Sequence, residues 1–325
     1  MAETVNIATM ADRLANEIFG VFNWKRIGPT NTNWACINPQ HQKSTHPSDI
    51  VFFYDNPYRN DRTFVNCDLK SYAAATIDRH RIHKAAKDLA IAVSCAEQSA
   101  EWQGRFTQPT SSPVISGLLF IYNHDGSYDE DFQRNIRDTL SPEALGLPKG
   151  AKLAIFGPAD IHWLHNVADD ILRMRGKKAI PEQCRYYYPN LVRSVNKQPT
   201  KAFAATIEML TGPWITLEYE TTIAPHHIGY VIYCRHQGRR VEEFQYLFDH
   251  LLHYNILENN IPVTIKLFTT EPEAPSRFDI AKVQYIDDQN GGADFKDLLD
   301  SIKCETMTTI AAKFSDIAIG MRDEG

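Results

Sequence analysis

The 325-residue sequence lacks any apolar run of the length that a membrane-spanning helix needs, about 20 residues. Its N-terminus, MAETVNIATMAD, also lacks the basic and apolar regions of a secretory signal peptide. We therefore expect a cytoplasmic protein that does not bind a membrane. Hydrophobic residues make up 43% of the chain and charged residues 23%, which is ordinary for a globular protein with a sizeable core.

The six cysteines lack the short paired spacings of zinc ribbons and disulfide frameworks, so we expect reduced thiols. They stand at positions 36, 67, 95, 184, 234 and 304. Cys36 is followed by His41 and His46 in a segment rich in Asn and Thr, and these three side chains are metal ligands by type. Without a fourth ligand or a family spacing, we interpret them as packed or hydrogen-bonded side chains rather than as a metal site.

What the sequence does contain is a predicted β-hairpin between His46 and Tyr72. Two segments rich in Val, Ile, Phe and Thr flank an eight-residue loop, 55–62, of Asn, Asp, Pro and Arg, which favour turns. If the strands pair symmetrically about this loop, Tyr54 lies opposite Thr63 and, counting outward, Asp49 lies opposite Asp68.

Strand alternation returns Lys70 to the face of Asp68, so two carboxylates and an ammonium are expected to converge. Two close carboxylates repel each other unless a hard cation such as Mg²⁺ lies between them. A metal with few protein ligands keeps its waters, so this arrangement suits phosphodiester hydrolysis. The alternative is a surface hairpin that carries an ion pair.

The stretches 47–49 (Pro-Ser-Asp) and 68–70 (Asp-Leu-Lys), with the apolar strand between them, resemble the motif of the PD-(D/E)xK nuclease superfamily, which has the restriction-endonuclease-like fold. A serine separates Pro47 from Asp49, and the second acid is Asp rather than Glu. The tripeptide at 294–296, Asp-Phe-Lys, has neither a strand nor an acidic hairpin partner, so it is not a second copy of the motif.

The resemblance implies a Mg²⁺- or Mn²⁺-dependent nuclease, most often a deoxyribonuclease in restriction, repair or antiviral defence. Asp49 and Asp68 would bind the metal, the Leu69 carbonyl would add an oxygen ligand, and Lys70 would activate or position the attacking water. Many members have a first-helix glutamate that reaches towards the metal, and here that residue would be Glu17. A salt bridge from Glu17 to Arg13 or Lys25 is the alternative.

The first helix is predicted over 9–24, and a long helix is predicted over 72–99. Basic residues gather near the start of the second helix, where they are placed to follow a phosphate backbone next to the site. The predicted nucleic-acid-binding residues are Arg79, Arg81, Lys84 and Lys87 on the helix and Lys43 in the preceding loop. A solvated face balanced by Asp78 and Asp88 is the alternative.

Charge is unevenly distributed along the chain, whose net charge is −6. Residues 1–201 carry 24 Lys and Arg against 21 Asp and Glu, whereas residues 202–325 carry 10 against 19. The half that contains the hairpin is therefore the basic one, as a phosphate-binding half should be.

The order of helices and strands predicts an α/β fold with a sheet covered on both sides, and the resemblance implies that this is a restriction-endonuclease-like mixed sheet flanked by helices. We place this domain at 1–200 and a second, smaller α/β or α+β domain at 201–325, with a linker at 194–201. The second domain is predicted to contain strands at 227–236, 261–269 and 279–286, a helix at 241–255 and a helical tail from 293. It lacks a phosphate loop, a nucleophile elbow and a CxxC motif.

Three functions remain open on the sequence alone. The first is a metal-dependent nuclease that acts as a defence effector, gated by a helicase or other defence subunit, by homodimerisation or by a trigger. The second is a non-catalytic nucleic-acid-binding or assembly subunit. The third is an enzyme for a small phosphorylated ligand that uses His162 and His165, although these two with Asp169 are more simply explained as packed residues.

Overall fold

The computed structural model describes residues 2–57, 61–107, 113–136, 145, 152–188, 204–221, 228–257 and 261–308. The described α-helices are α1 (Ala2–Val21), α2 (Arg79–Ala96), α3 (Ala100–Phe106), α4 (Phe132–Ile136), α5 (Pro158–Gly176), α6 (Ile207–Thr211), α7 (Val241–His253), α8 (Ala274–Asp288) and α9 (Ala293–Asp300). The described strands are β1 (Lys25–Ile27), β2 (Thr32–Ala35), β3 (Thr45–Ser48), β4 (Ile50–Asp55), β5 (Arg62–Tyr72), β6 (Val114–Asn123), β7 (Lys152–Phe156), β8 (Arg185–Tyr186), β9 (Trp214–Glu220), β10 (Ile228–Cys234), β11 (Val263–Leu267) and β12 (Lys303–Thr306).

The N-terminal sheet has the strand order β1-β4-β5-β6-β7. The pairs β1–β4 and β4–β5 are antiparallel, whereas β5–β6 and β6–β7 are parallel. Helix α2 lies on the crossover between β5 and β6, as a parallel pair requires. The sheet is therefore mixed, as the sequence predicted.

Helices cover both faces of this sheet. On one face, apolar residues of α2 such as Leu89 and Val93 pack in one cluster with Phe64 of β5 and Leu119 of β6. On the other face, the Phe19 ring of α1 lies 5.3–6.2 Å from rings of the strands, namely Phe52, Phe120 and Phe156. Burial of both faces explains why β6 is apolar along nearly its whole length.

Helix boundaries differ from the predicted ones for local reasons. Helix α1 begins at Ala2, well before the predicted start, and ends before Asn23, whose φ is 63°. Helix α2 begins at Arg79 because the Asp78 side chain caps it, accepting a hydrogen bond from the Arg81 amide. A short 3₁₀ helix, Ala74–Thr76, occupies part of the segment before it.

The second unit contains a five-stranded sheet of order β12-β11-β10-β9-β8. Its strands β10, β11 and β12 are parallel, and its apolar core includes Phe248 of α7, Ile232 of β10 and Phe278 of α8. The strand predicted at 279–286 is wrong, because this segment lies in α8. Its residues alternate in polarity, but burial recurs at helical spacing.

In α8, Phe278, Ala281 and Tyr285 are buried, whereas Ile280 and Val283 are exposed. The predicted helical tail begins correctly as α9, but the chain then forms strand β12. The tripeptide at 294–296, which resembles the Asp-Leu-Lys motif at 68–70, lies in a helix, α9, as predicted.

The chain divides into a compact unit up to His165 and a second from Asn166, and the division falls within α5. The linker predicted at 194–201 lies outside the described residues, so the boundary at 200 stays a prediction. Counted up to residue 165, the chain carries 16 Lys and Arg against 18 Asp and Glu. The basic excess of the first 201 residues therefore comes from 166–201, not from the unit with the hairpin.

None of the helices in the described part of the chain is long and apolar enough to cross a membrane.

Gly117 allows α2 to pack closely on β6. A Cβ at this position would lie 2.6 Å from Leu153 Cδ1 and 2.9 Å from Val93 Cγ2, both tighter than van der Waals contact. We expect Gly117→Val to lower the free energy of unfolding by roughly 2–3 kcal/mol, because the core is overpacked.

The matched control is Gly104→Ala in α3, where an added Cβ meets nothing within 4 Å. This change is expected to stabilise the protein by about 0.5–1 kcal/mol, because alanine favours the helix. Denaturant unfolding of both variants checks the prediction, which equal midpoints for the two would contradict.

Candidate active site

Asp49 and Asp68 lie where the pairing of β4 with β5 ends. Tyr54 pairs with Thr63, as predicted, and the ladder continues to Ile50 opposite Cys67. Asp49 is the next residue, in a bend between β3 and β4, so the same register brings it to Asp68. The side chains of Asp49, Asp68 and Lys70 share the sheet face that packs against α2.

A backbone hydrogen bond holds the Asp49 carboxylate in this position. The Leu69 amide donates to Asp49 Oδ2 at 2.8 Å, and the Asp49 carbonyl accepts from the Asn31 amide at 2.9 Å. The carboxylate thus takes the place of the next backbone partner in the ladder. The hairpin pattern alone did not predict this donor, although β4 begins at Ile50 and the Leu69 amide must then be satisfied by another group.

Ser48, the residue that separates Pro47 from Asp49, fixes the chain just before the bend. Its buried Oγ accepts hydrogen bonds from the indole N–H groups of Trp34 and Trp102, both at 3.1 Å. One tryptophan lies in β2 and the other in α3. Ser48 therefore anchors the approach to Asp49 to two other elements.

Asp68 and Lys70 form an ion pair on β5, in which the Lys70 ammonium donates to Asp68 Oδ1. The side chains are 13% and 32% exposed for Asp68 and Lys70 respectively, so both groups are within reach of solvent. Among the described residues, Lys70 is the basic side chain that forms an ion pair with one of the two acids, Asp68.

The surroundings of the couple disfavour the ionised form of Asp49. Burial and the neighbouring Asp68 carboxylate raise the pKa of Asp49 to about 6, although the Leu69 amide and Lys70 act in the opposite direction. A hydrogen bond to Asp68, which Asp49 can donate only in its protonated form, adds to the rise. Burial lowers the pKa of Lys70, but the carboxylates of Asp68 and Asp49 more than offset this and raise it.

This donor set fits a divalent cation. Two carboxylates bring two negative charges against the single positive charge of Lys70, and burial raises the cost of the imbalance. Oxygen ligands in such a place are those that Mg²⁺ and Mn²⁺ prefer. A cation at the couple would remove the repulsion that raises the pKa of Asp49.

Residues 1–160 match a family model, the GAPS4 protein PD-(D/E)XK nuclease domain. The N-terminal domain belongs to the PD-(D/E)xK nuclease superfamily. The match covers just under half of the 325-residue chain and includes the whole acidic couple. No curated protein and no solved structure matches the chain.

Family membership gives this nuclease domain a nuclease-type function in a defence system, and it implies interaction with nucleic acid. The mixed sheet flanked by helices is the fold that this superfamily requires. The second unit lies outside the matched residues.

Glu17 of the nuclease domain makes the contact that the alternative interpretation predicted. Arg13 Nε lies 3.2 Å from Glu17 Oε1, one helical turn apart, and both side chains are about half exposed, 46% and 48%. The carboxylate therefore has its partner on the outer surface of α1, and a role for it at the metal stays a prediction.

The predicted nucleic-acid-binding residues are mostly paired with acids of the same domain. Lys43 and Lys84 both contact Asp88, at 2.6 and 3.1 Å, and Arg81 contacts Asp78 at 3.1 Å. Arg79 donates to the Asn135 carbonyl, and Lys87 is exposed. The basic side chains on this face are thus largely balanced by Asp78 and Asp88, as in the alternative of a solvated face, and binding of nucleic acid by this face stays a prediction.

The histidines His162 and His165 lie on α5 as expected, and among the residues described they do not join Asp169 in a group that could hold a metal. His165 is buried, in agreement with a packed residue. A different set, of two histidines and two cysteines, does converge.

Removing the charge of Asp49 is expected to stabilise the metal-free domain. Because the folded pKa lies above the ordinary value of 3.8, ionised Asp49 opposes folding between about pH 4 and 6 and keeps a constant penalty above that range. Asp49→Asn should raise the free energy of unfolding by roughly 1–3 kcal/mol at pH 7 and have little effect near pH 4.

Unfolding measured across this pH range, in buffer without Mg²⁺ or Mn²⁺, checks the expectation. Asp55→Asn is the control, because Asp55 lies on β4 but is exposed and paired with Arg62 at 2.8 Å. A gain in stability that does not change with pH would show that charge repulsion is not the cause.

Proposed function

We propose that the N-terminal domain is a divalent-metal-dependent deoxyribonuclease that cleaves phosphodiester bonds during antiviral defence or restriction. The observation that carries the proposal is the convergence of Asp49, Asp68 and Lys70 at the end of the β4–β5 pairing, inside the residues that match the nuclease family. Cytoplasmic action fits a protein that meets invading DNA.

In this proposal, Asp49 and Asp68 hold the cation, Mg²⁺ or Mn²⁺. The hydrogen bond from the Leu69 amide fixes one oxygen of Asp49 and leaves the other to face the metal. The N–H and C=O of one strand residue point to the same side, so the Leu69 carbonyl is placed to add a third oxygen. Asp49 directly precedes β4, and Asp68 and Leu69 lie in β5, which is already paired with β4. Metal binding would therefore need little rearrangement of the backbone.

The bound cation supplies positive charge next to the scissile phosphate and favours ionisation of nearby water. Lys70 is the side chain proposed to contact the attacking water and the phosphate directly. Its ammonium, on the same face as Asp68 and partly exposed, is placed to orient the attacking water and to donate to the phosphate oxygens as their charge grows.

We further propose that the predicted second domain, residues 201–325, controls this activity. Residues 202–325 carry a clear acidic excess, which disfavours direct binding of duplex DNA. Docking of a helicase or another defence subunit, homodimerisation and recognition of a trigger are the roles compatible with this charge.

Asp68→Ala and Lys70→Ala are expected to reduce cleavage of plasmid DNA in Mg²⁺ or Mn²⁺ by roughly 100-fold or more, because each removes charge stabilisation at the reacting phosphate. The assay includes RNA as a second substrate, since the chemistry at the phosphate is shared. Cleavage at the wild-type rate by either variant would contradict the assignment.

The chain provides its own control for this experiment. Asp294→Ala and Lys296→Ala alter the same residue types in the look-alike tripeptide of α9, outside the matched family residues, and both should leave cleavage unchanged. If wild type does not cleave, a metal titration of wild type against Asp49→Ala distinguishes a nuclease that lacks its partner, which binds metal through Asp49, from a binding subunit, which does not.

The second candidate function is a non-catalytic subunit that holds nucleic acid on α2. It is favoured by the exposure of basic side chains at the start of this helix, where Lys84 is 72% exposed. The pairing of Lys84 and Lys43 with Asp88 weakens this candidate but does not remove the positive charge from the face.

Lys84→Ala combined with Lys87→Ala should weaken DNA binding on either function, because phosphate contacts are lost. Each lost contact is expected to reduce the slope of log affinity against log salt by about 1. Affinity measured from low to physiological salt checks this, with Lys296→Ala as the control. An unchanged slope would place the nucleic acid elsewhere.

A further inference from the structure

Four side chains of metal-ligand type converge at a place separate from the acidic couple. They are Cys36, after β2, His41 and His46, in the loop and strand that follow, and Cys95, near the end of α2. One ligand atom from each of the four lies within 4.8 Å of those of the other three. The sequence supplied the first three, and the structure supplies the missing fourth.

The two distances from Cys36 Sγ match those of a tetrahedral metal site. Cys36 Sγ lies 3.9 Å from Cys95 Sγ and 3.5 Å from His41 Nδ1. With zinc–sulfur bonds of about 2.3 Å and zinc–nitrogen bonds of about 2.05 Å, a tetrahedron places two sulfurs about 3.8 Å apart and a sulfur and a nitrogen about 3.5 Å apart. Cys36, Cys95 and His41 are therefore spaced for one ion at these two contacts, and all four ligand atoms lie within 4.8 Å of one another.

His46 is the second observation that points to a ligand. Its side chain is fully buried, and neither ring nitrogen has a hydrogen-bond partner within the described structure. Its ring lies 4.9 Å from that of Trp34 and 5.7 Å from that of His41. A buried imidazole without any polar partner is costly, and a metal bond to one nitrogen would remove that cost.

The surroundings of the cluster suit thiolate and imidazole ligands. The Ile37 amide donates to Cys95 Sγ at 3.3 Å, and the Asn38 side chain contacts His41 Nε2 at 3.1 Å. Such outer contacts orient metal ligands. The ion pair between Lys43 and Asp88 holds the same loop against α2.

We propose that Cys36, His41, His46 and Cys95 form a structural zinc site. Two thiolates and two imidazoles are a ligand set that zinc favours, and four protein ligands leave no open position for catalysis. The site links the β2–β3 hairpin to α2. Because His46 lies three residues before Asp49, the metal would fix the strand that delivers this acid to the couple.

The site is independent of the proposed nuclease chemistry, and its test can be read without any cleavage assay. Full-length protein purified under reducing conditions is expected to contain one zinc ion per chain by mass spectrometry of metals. After replacement of zinc by Co²⁺, a tetrahedral visible spectrum with a thiolate-to-cobalt charge-transfer band in the near ultraviolet is expected.

Cys36→Ser and Cys95→Ser should each abolish or strongly weaken this charge-transfer band and lower the zinc content. Cys304→Ser is the matched control, since Cys304 is also partly buried but lies in β12, and it should keep both. Asp68→Asn should keep both as well, which separates the site from any metal held by the acidic couple.

Should the serine variants fail to fold, the wild-type protein still decides. Wild type that takes up neither zinc nor Co²⁺ with a thiolate band overturns the proposal, as does a disulfide between Cys36 and Cys95 in protein kept reduced. A band that survives in folded Cys95→Ser at full strength would also overturn it, because the fourth ligand would then be another residue.

Discussion

The repulsion between the carboxylates of Asp49 and Asp68 is the constraint around which the N-terminal domain is built. Two like charges are brought together where burial increases the cost of each, and the raised pKa of Asp49 records that cost. The surrounding backbone holds them there through the Leu69 amide and the β4–β5 ladder. A divalent cation bound between the carboxylates would neutralise this repulsion.

The rest of the domain supports this couple from both sides. Its central strand, β5, carries Asp68 and Lys70 and lies between β4 and β6, so it cannot shift without disturbing two ladders. Asp49 is delivered by a different route, through the β2–β3 pair and the anchored Ser48. The two acids thus come from separately stabilised pieces of chain that meet at one point, which gives the site a fixed geometry in the absence of a ligand.

Much of this was predictable from the sequence, because it depends on short-range rules. A turn-rich loop and period-two alternation determine the register of a hairpin, and the register alone brings Asp49 to Asp68. The α/β sheet covered on both sides followed from the order of elements, and its mixed character followed from the family resemblance. The resemblance to the nuclease superfamily rested on the same few residues, and the family match confirms it.

The features that were missed depend on contacts between distant parts of the chain. Cys95 looks like a small core residue of α2 in the sequence, and only the packing of α2 brings it to Cys36. Segment 279–286 alternates like a strand but is buried at helical spacing. For Glu17, the sequence left open a carboxylate directed at the metal and a salt bridge to Arg13, and the structure shows the salt bridge. The local sequence pattern does not determine which contacts a side chain makes with distant parts of the chain.

The bend at Asp49 marks a seam between two sheets. Strand β3 pairs with β2 in a two-stranded sheet, and β4 begins directly after the bend in the five-stranded sheet. One acid of the couple therefore lies at the junction of the two sheets, and the other lies within the large sheet. The spacing of the carboxylates depends on both sheets, so the β2–β3 pair contributes to the site although neither of its strands belongs to the large sheet.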